Sequence, residues 1–139
     1  MKRKNITLSV IFCLFTIGIF AQQTNKKENK QQNNNNKAYF ALEKKTIRFG
    51  EIKMGNTKTI QLSFTNTGGK TLVLTDVYTN CGCTTVDWPK DPFLPGKSGT
   101  IKITYNPTET GAFNKTIWIY TNADNNSEIV QIEGIVTER

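Results

Sequence analysis

From Tyr39 to the end of the chain, polar and apolar residues alternate in short runs, and no stretch carries a helical repeat of useful length. Over 57–66, Ile60, Leu62 and Phe64 interleave with Thr59, Gln61 and Ser63. That two-residue period predicts a strand with one buried face. Ile101, Ile103 and Tyr105 repeat it before Asn106-Pro107. Further strands are expected over 46–49, with Glu51 and Ile52 continuing beyond Gly50, and over 71–77, 84–88, 113–121 and 128–136. Met54-Gly55-Asn56, Asn66-Thr67-Gly68-Gly69 and the run Asn122 to Asn126 supply turns between them.

Three prolines at 89, 92 and 95 exclude a central strand over 89–96, because proline has no ladder donor. Pro95-Gly96 suits the middle of a type II turn. About seven strands in roughly 100 residues is the size and turn spacing of a single immunoglobulin-like β-sandwich. Such a domain buries roughly two thirds of its unfolded surface and stands without a metal or disulfide. It is assigned to residues 39–139.

The start of the chain reads differently. Met1-Lys2-Arg3-Lys4 precedes a mostly apolar run of 15 residues from Ile6 to Phe20 and then Ala21. This is a signal peptide over 1–21: the run falls short of the roughly 20 residues a membrane-spanning helix needs. Cleavage before Gln22 is expected, with no transmembrane segment in the mature chain and an exported, periplasmic or extracellular location. Residues 22–38 hold almost nothing apolar and four consecutive Asn, and are expected to form a disordered tether.

Charge location matters more than the net +7 of the whole chain. From Tyr39 onward eleven Lys and Arg face ten Asp and Glu, so nearly all the excess lies in the signal peptide and tether. A nucleic-acid surface would cluster on the folded part, and none is expected. Catalysis is not expected either. The chain has no histidine, so no Cys-His or Ser-His pair can form, and Asp76, Asp87, Asp91, Glu109, Asp124 and Glu128 have no spacing that pairs them for acid and base work.

Several motifs together resemble a family: Phe64-Thr65-Asn66-Thr67-Gly68 with Leu72 and Leu74, Cys81-Gly82-Cys83-Thr84, Leu94-Pro95-Gly96, Tyr105-Asn106-Pro107 and Gly111-Ala112-Phe113. They are similar to a bacterial exported family, domain of unknown function number fifteen seventy-three, over about residues 45–136. The resemblance implies a sandwich similar to major-sperm-protein and HYDIN-type immunoglobulin-like modules, which act in interactions, and it implies no activity and no cofactor.

Two candidate sites remain. Cys81 and Cys83 flank Gly82, which lets the backbone turn enough to bring the sulfurs together. A disulfide there would stabilise by only about 1.5 kcal/mol in the chain-entropy model. The pair is read as packed apolar groups, as a redox couple, or as Cu(I) ligands with a thioether from Met54. On the strand around Trp118, Ile117 and Ile119 point one way and Thr116, Trp118 and Tyr120 the other. If the isoleucines fill the core, Thr116, Trp118 and Tyr120 form a binding face for protein or cell-envelope glycan; otherwise a neighbouring strand or loop covers them. The expected function is therefore a non-catalytic binding or envelope-organising module, with a small thiol redox or copper-handling protein as the alternative.

Overall fold

The computed structural model describes residues 36–138, and among them the alternation is realised as eight strands and no helix. In chain order these are β1 (Phe40–Leu42), β2 (Thr46–Lys53), β3 (Lys58–Asn66), β4 (Leu74–Thr79), β5 (Thr84–Asp87), β6 (Ser98–Tyr105), β7 (Gly111–Thr121) and β8 (Ser127–Thr137). One sheet runs β1-β3-β6-β5 and the other β2-β8-β7-β4, which makes the immunoglobulin-like sandwich expected. The signal peptide over 1–21 and the tether as far as residue 35 lie outside the described residues.

The inward residues are those the period selects. Leu62, Phe64, Ile101, Ile103 and Tyr105 from the first sheet meet Ile47, Phe49, Ile117, Ile119, Val130 and Ile132 from the second, all buried. Full burial stabilises each such side chain by about 1.5–3 kcal/mol. Aromatic rings join the layers: Tyr105 stacks on Phe113 with centroids 4.0 Å apart, and Phe49 meets both rings edge-on at 6.2 and 6.1 Å. In β2 a register shift between Arg48 and Gly50 inverts the alternation, so Ile47, Phe49 and Ile52 all reach the core. The Leu94-Pro95-Gly96-Lys97 turn closes with Lys97 N–H on Leu94 O at 3.0 Å, and Gly96 takes the φ of 77° that a type II turn requires.

The eighth strand is β1, which carries too few residues to show a period. It pairs with β3 through Phe40 opposite Asn66. Its free side is closed by a side chain: Asn125 Oδ1 accepts from Phe40 N–H at 3.0 Å and Asn125 Nδ2 donates to Phe40 O at 2.7 Å. Asn66 does similar work from inside the body. Its Nδ2 donates to the carbonyls of Lys70 at 2.7 Å and Phe93 at 2.9 Å, and its Oδ1 accepts from Gly68 N–H at 3.1 Å and Tyr39 N–H at 3.4 Å. An amide whose donors and acceptor are all used can stay in an apolar interior.

Order begins before Tyr39. Lys37 O accepts from Gly69 N–H at 2.9 Å and Lys70 N–H at 3.2 Å, Ala38 O accepts from Asp124 N–H at 3.0 Å, and Ala38 itself is only 3% exposed. Gly68 permits this approach: a Cβ there would press on Lys37 O and Tyr39 N and stand 2.6 Å from the Ala38 carbonyl carbon. Composition groups Lys37 and Ala38 with the polar tether; backbone hydrogen bonds place both on the sandwich.

Candidate functional site

Ile117 and Ile119 do fill the core, so the strand directs Thr116, Trp118 and Tyr120 to the outer face of the second sheet. Thr116 is half-buried there and donates through its hydroxyl to Gln131 Oε1 at 3.2 Å. Trp118 is half-buried as well, while Tyr120 is 37% exposed. Tyr78 joins them from the neighbouring strand, directly opposite Trp118, and is 42% exposed. Tyr78 stacks on Trp118 with centroids 5.2 Å apart and planes 17° apart, and on Tyr120 at 6.1 Å and 8°. Ile129, opposite Trp118 on β8, is 50% exposed and extends the row.

Ring orientation decides what this face can hold. Rings lying side by side in one plane would collide at 5.2 Å, so the Tyr78 and Trp118 faces partly overlap. Such a stack stabilises by about 0.5–1.5 kcal/mol per pair beyond burial. Solvent reaches the stack mainly through Tyr78 and Tyr120. The Tyr78 hydroxyl is held above the usual tyrosine range, first by hydrogen bonding to Tyr120, then by lost solvation and by the charges of Tyr120 and Asp76. Farther along the same face lies a shallow hollow of about 480 Å³, floored by Phe113 and Gly134 and walled by Ala112 and Ile135, with Arg48 and Glu133 paired at its rim at 2.9 Å.

Tyr78 is the member of the site that sequence periodicity misses. A register shift between Leu74 and Asp76 breaks the alternation in β4, so Leu74 and Val77 both point inward and Tyr78 emerges outside.

The second candidate lies where the chain leaves β4, an edge of one sheet, and enters β5, an edge of the other. Cys81 and Cys83 are joined in a disulfide. Cys83 is 8% exposed, within the core cluster, whereas Cys81 is half-buried. In this bonded form neither sulfur is a thiolate, so Cu(I) could be taken only after reduction. Met54 packs against the core from the turn between β2 and β3. Among the described residues no group of three or more His, Cys, Asp and Glu side chains converges as a metal site would.

The family model described as protein of unknown function (DUF1573) matches residues 40–136. The chain belongs to this family. No curated protein matches it. Among solved structures, the DUF1573 chain is similar to a protein of unknown function from Porphyromonas gingivalis W83, with a TM-score of 0.65 and 18% identity over 70% of this chain and 46% of that one. It thus spans about half the length of that relative. The ASH/PapD-like domain 7 of human CEP192 follows with a TM-score of 0.58, 14% identity, and coverage of 72% and 86%. The VesB protease of Vibrio cholerae gives 0.55 and 11%, over 75% of this chain and 32% of the protease. Identities this low establish the sandwich alone, and proteins of different activities carry it, so function has to be argued from the surface.

Proposed function

We propose that this DUF1573 chain is an exported, non-catalytic binding module that contacts another protein through the outer face of its second sheet. One observation carries the reading: Tyr78, Trp118 and Tyr120 stack in a row on that face, with Ile129 beside them, where solvent reaches them. Tyrosine and tryptophan dominate the energetics of protein interfaces, and an exposed apolar row is the feature such contacts use. We favour a protein over a glycan because a sugar ring packs on an open aromatic face, and part of that face is already taken where Tyr78 and Trp118 overlap. The hollow beside Ile135 supplies a second contact point on the same face. A disulfide in the described structure accords with an oxidising, exported location.

Binding to envelope fractions tests the proposal. Wild-type chain and the Tyr78→Ala and Trp118→Ala variants are compared, with the Thr59→Ala variant on the opposite sheet as control. Truncating a central aromatic should weaken binding by about tenfold or more. Protease treatment of the fraction should abolish binding and glycan oxidation should spare it. Undiminished binding by a folded Trp118→Ala variant would reject this face as the contact surface.

A further inference from the structure

We infer that Cys81–Cys83 is a reversible thiol–disulfide exchange site at which a dithiol attacks Cys81, with Cys83 as the leaving sulfur. The site is separate from the aromatic face and does not depend on its role.

Three observations lead there. The turn that carries the cysteines is closed without the sulfur bond: Thr84 N–H donates to Cys81 O at 3.1 Å, and Asn106 N–H holds Cys83 O at 2.8 Å. Cys81 N–H is held as well, by Thr79 Oγ1 at 3.4 Å. A disulfide across an already closed turn of sequence separation 2 adds little as a staple, since so small a ring restricts the unfolded chain least. These same hydrogen bonds keep the two sulfurs adjacent after reduction, so when an oxidised dithiol captures one of them as a mixed disulfide, the other displaces it in an intramolecular step at high effective concentration and the dithiol takes up the two electrons.

The two sulfurs are also unequal. Cys81 is half-buried at the corner and next to Gly82, which is exposed and has nothing within 4 Å of where its Cβ would stand. Cys83 lies in the core cluster. Exchange requires an approach to the attacked sulfur, and only Cys81 offers one. The departing Cys83 sulfur lies 3.8 Å from Thr84 Oγ1, a hydroxyl able to donate to it.

The chemistry balances with the dithiol as sole co-reactant. Its thiolate attacks Cys81 Sγ, the Cys81–Cys83 bond breaks, and Cys83 leaves with the electron pair and takes a proton from solvent. The second thiolate of the dithiol then attacks its own partner sulfur in the mixed disulfide and releases Cys81. The dithiol is oxidised to a disulfide, the cysteine pair gains two electrons, and two protons pass from one to the other.

The experiment uses the mature chain with dithiothreitol and, in a parallel arm, with a reduced thioredoxin. Alkylation and mass spectrometry read the cysteines, and near-ultraviolet circular dichroism reads the fold. Both cysteines should be reduced, and then reoxidised by the oxidised (cyclic disulfide) form of dithiothreitol in excess, in the folded chain. Reduction by dithiothreitol alone assigns the site to small dithiols, and reduction by both assigns it to protein dithiols. The Cys81 thiol in the Cys83→Ser variant should react with an aromatic disulfide about tenfold or more faster than the Cys83 thiol in Cys81→Ser. Cys83→Ala replaces the first variant if serine disturbs the core. A pair that resists both reductants while folded, a reduced chain that loses its near-ultraviolet signal, or faster reaction at Cys83 each overturns the inference.

Discussion

Asn125 and Phe40 are joined twice, the side-chain amide of one accepting from the backbone N–H of the other and donating to its carbonyl, at 3.0 and 2.7 Å. The amide stands where a further strand would otherwise pair, so it closes an exposed sheet edge as well as fixing β1. Asn125→Ala should lower stability by about 1–3 kcal/mol, the cost of leaving such groups unpaired. Asn125→Asp should do no better at neutral pH, because it loses the donor to Phe40 O and sets a second carboxylate beside Glu128, which Nδ2 now contacts at 3.1 Å. Urea unfolding of both variants checks the order.

Asn66 should matter more. Its side chain makes four hydrogen bonds inside the body, and Asn66→Ala strands the Lys70 carbonyl and the N–H groups of Tyr39 and Gly68, while Phe93 O keeps Leu72 N–H at 2.8 Å. The expected loss is about 3 kcal/mol or more, at the upper end of what most single substitutions cost. Asn66→Asp cannot restore the fold, since it turns an oxygen towards the carbonyls of Lys70 and Phe93. Equilibrium denaturation of the three proteins tests this.

A chain that starts at Tyr39 should be measurably less stable than one that starts at Asn36. It lacks the Lys37 carbonyl that two backbone donors use and the buried Ala38. A loss of about 1 kcal/mol corresponds to a drop of about 4–8 °C in Tm for a domain near this size. Removing only residues 1–35 should leave Tm nearly unchanged. Gly68→Ala should reproduce the deficit of the shorter chain by pushing the same segment off its seat. Thermal unfolding followed by circular dichroism compares the three.

Tyrosine titration gives a test at high pH. Tyr78 has its pKa raised in the fold, chiefly by Tyr120, and Tyr105 has its own raised by burial and then by Glu109. A raised pKa favours the neutral phenol in the folded chain. The stability that this linkage contributes is therefore fully present below the unfolded value of about 10 and is lost as pH rises through the folded values. Ultraviolet titration should show two tyrosines ionising late, and Tyr120→Phe should return Tyr78 towards the ordinary range without moving Tyr105. If Tyr78 is unaffected by that substitution, the stack geometry is not what holds it.

The stack should also register as a coupling between two strands. A double-mutant cycle of Tyr78→Ala and Trp118→Ala is expected to give an interaction energy of about 0.5–1.5 kcal/mol, measured by denaturant unfolding. Additive losses would mean that each ring packs on the sheet independently.

Much of this protein is written locally. The alternation of Ile60, Leu62 and Phe64, and of Ile101, Ile103 and Tyr105, selects strands and their buried faces, because side chains along an extended backbone point to opposite sides whatever the partner strand is. Pro95-Gly96 encodes its turn for the same local reason, and the orientation of Ile117 against Trp118 follows from the period alone. What the sequence cannot show by itself is created by distant backbone. The three residues of β1 are a strand only because β3 and the side chain of Asn125, 85 positions away, satisfy their backbone groups. Lys37 and Ala38 read as tether until Gly68 and Asp124 receive them. The pairing of β2 with β8 is parallel and joins the two ends of the domain. The register shift in β4 that turns Tyr78 outward exists only against β7, and it completes the aromatic row. Period and turn chemistry depend on neighbours in the chain, whereas strand order, register shifts and side-chain caps depend on which backbone groups tertiary contact leaves to be satisfied.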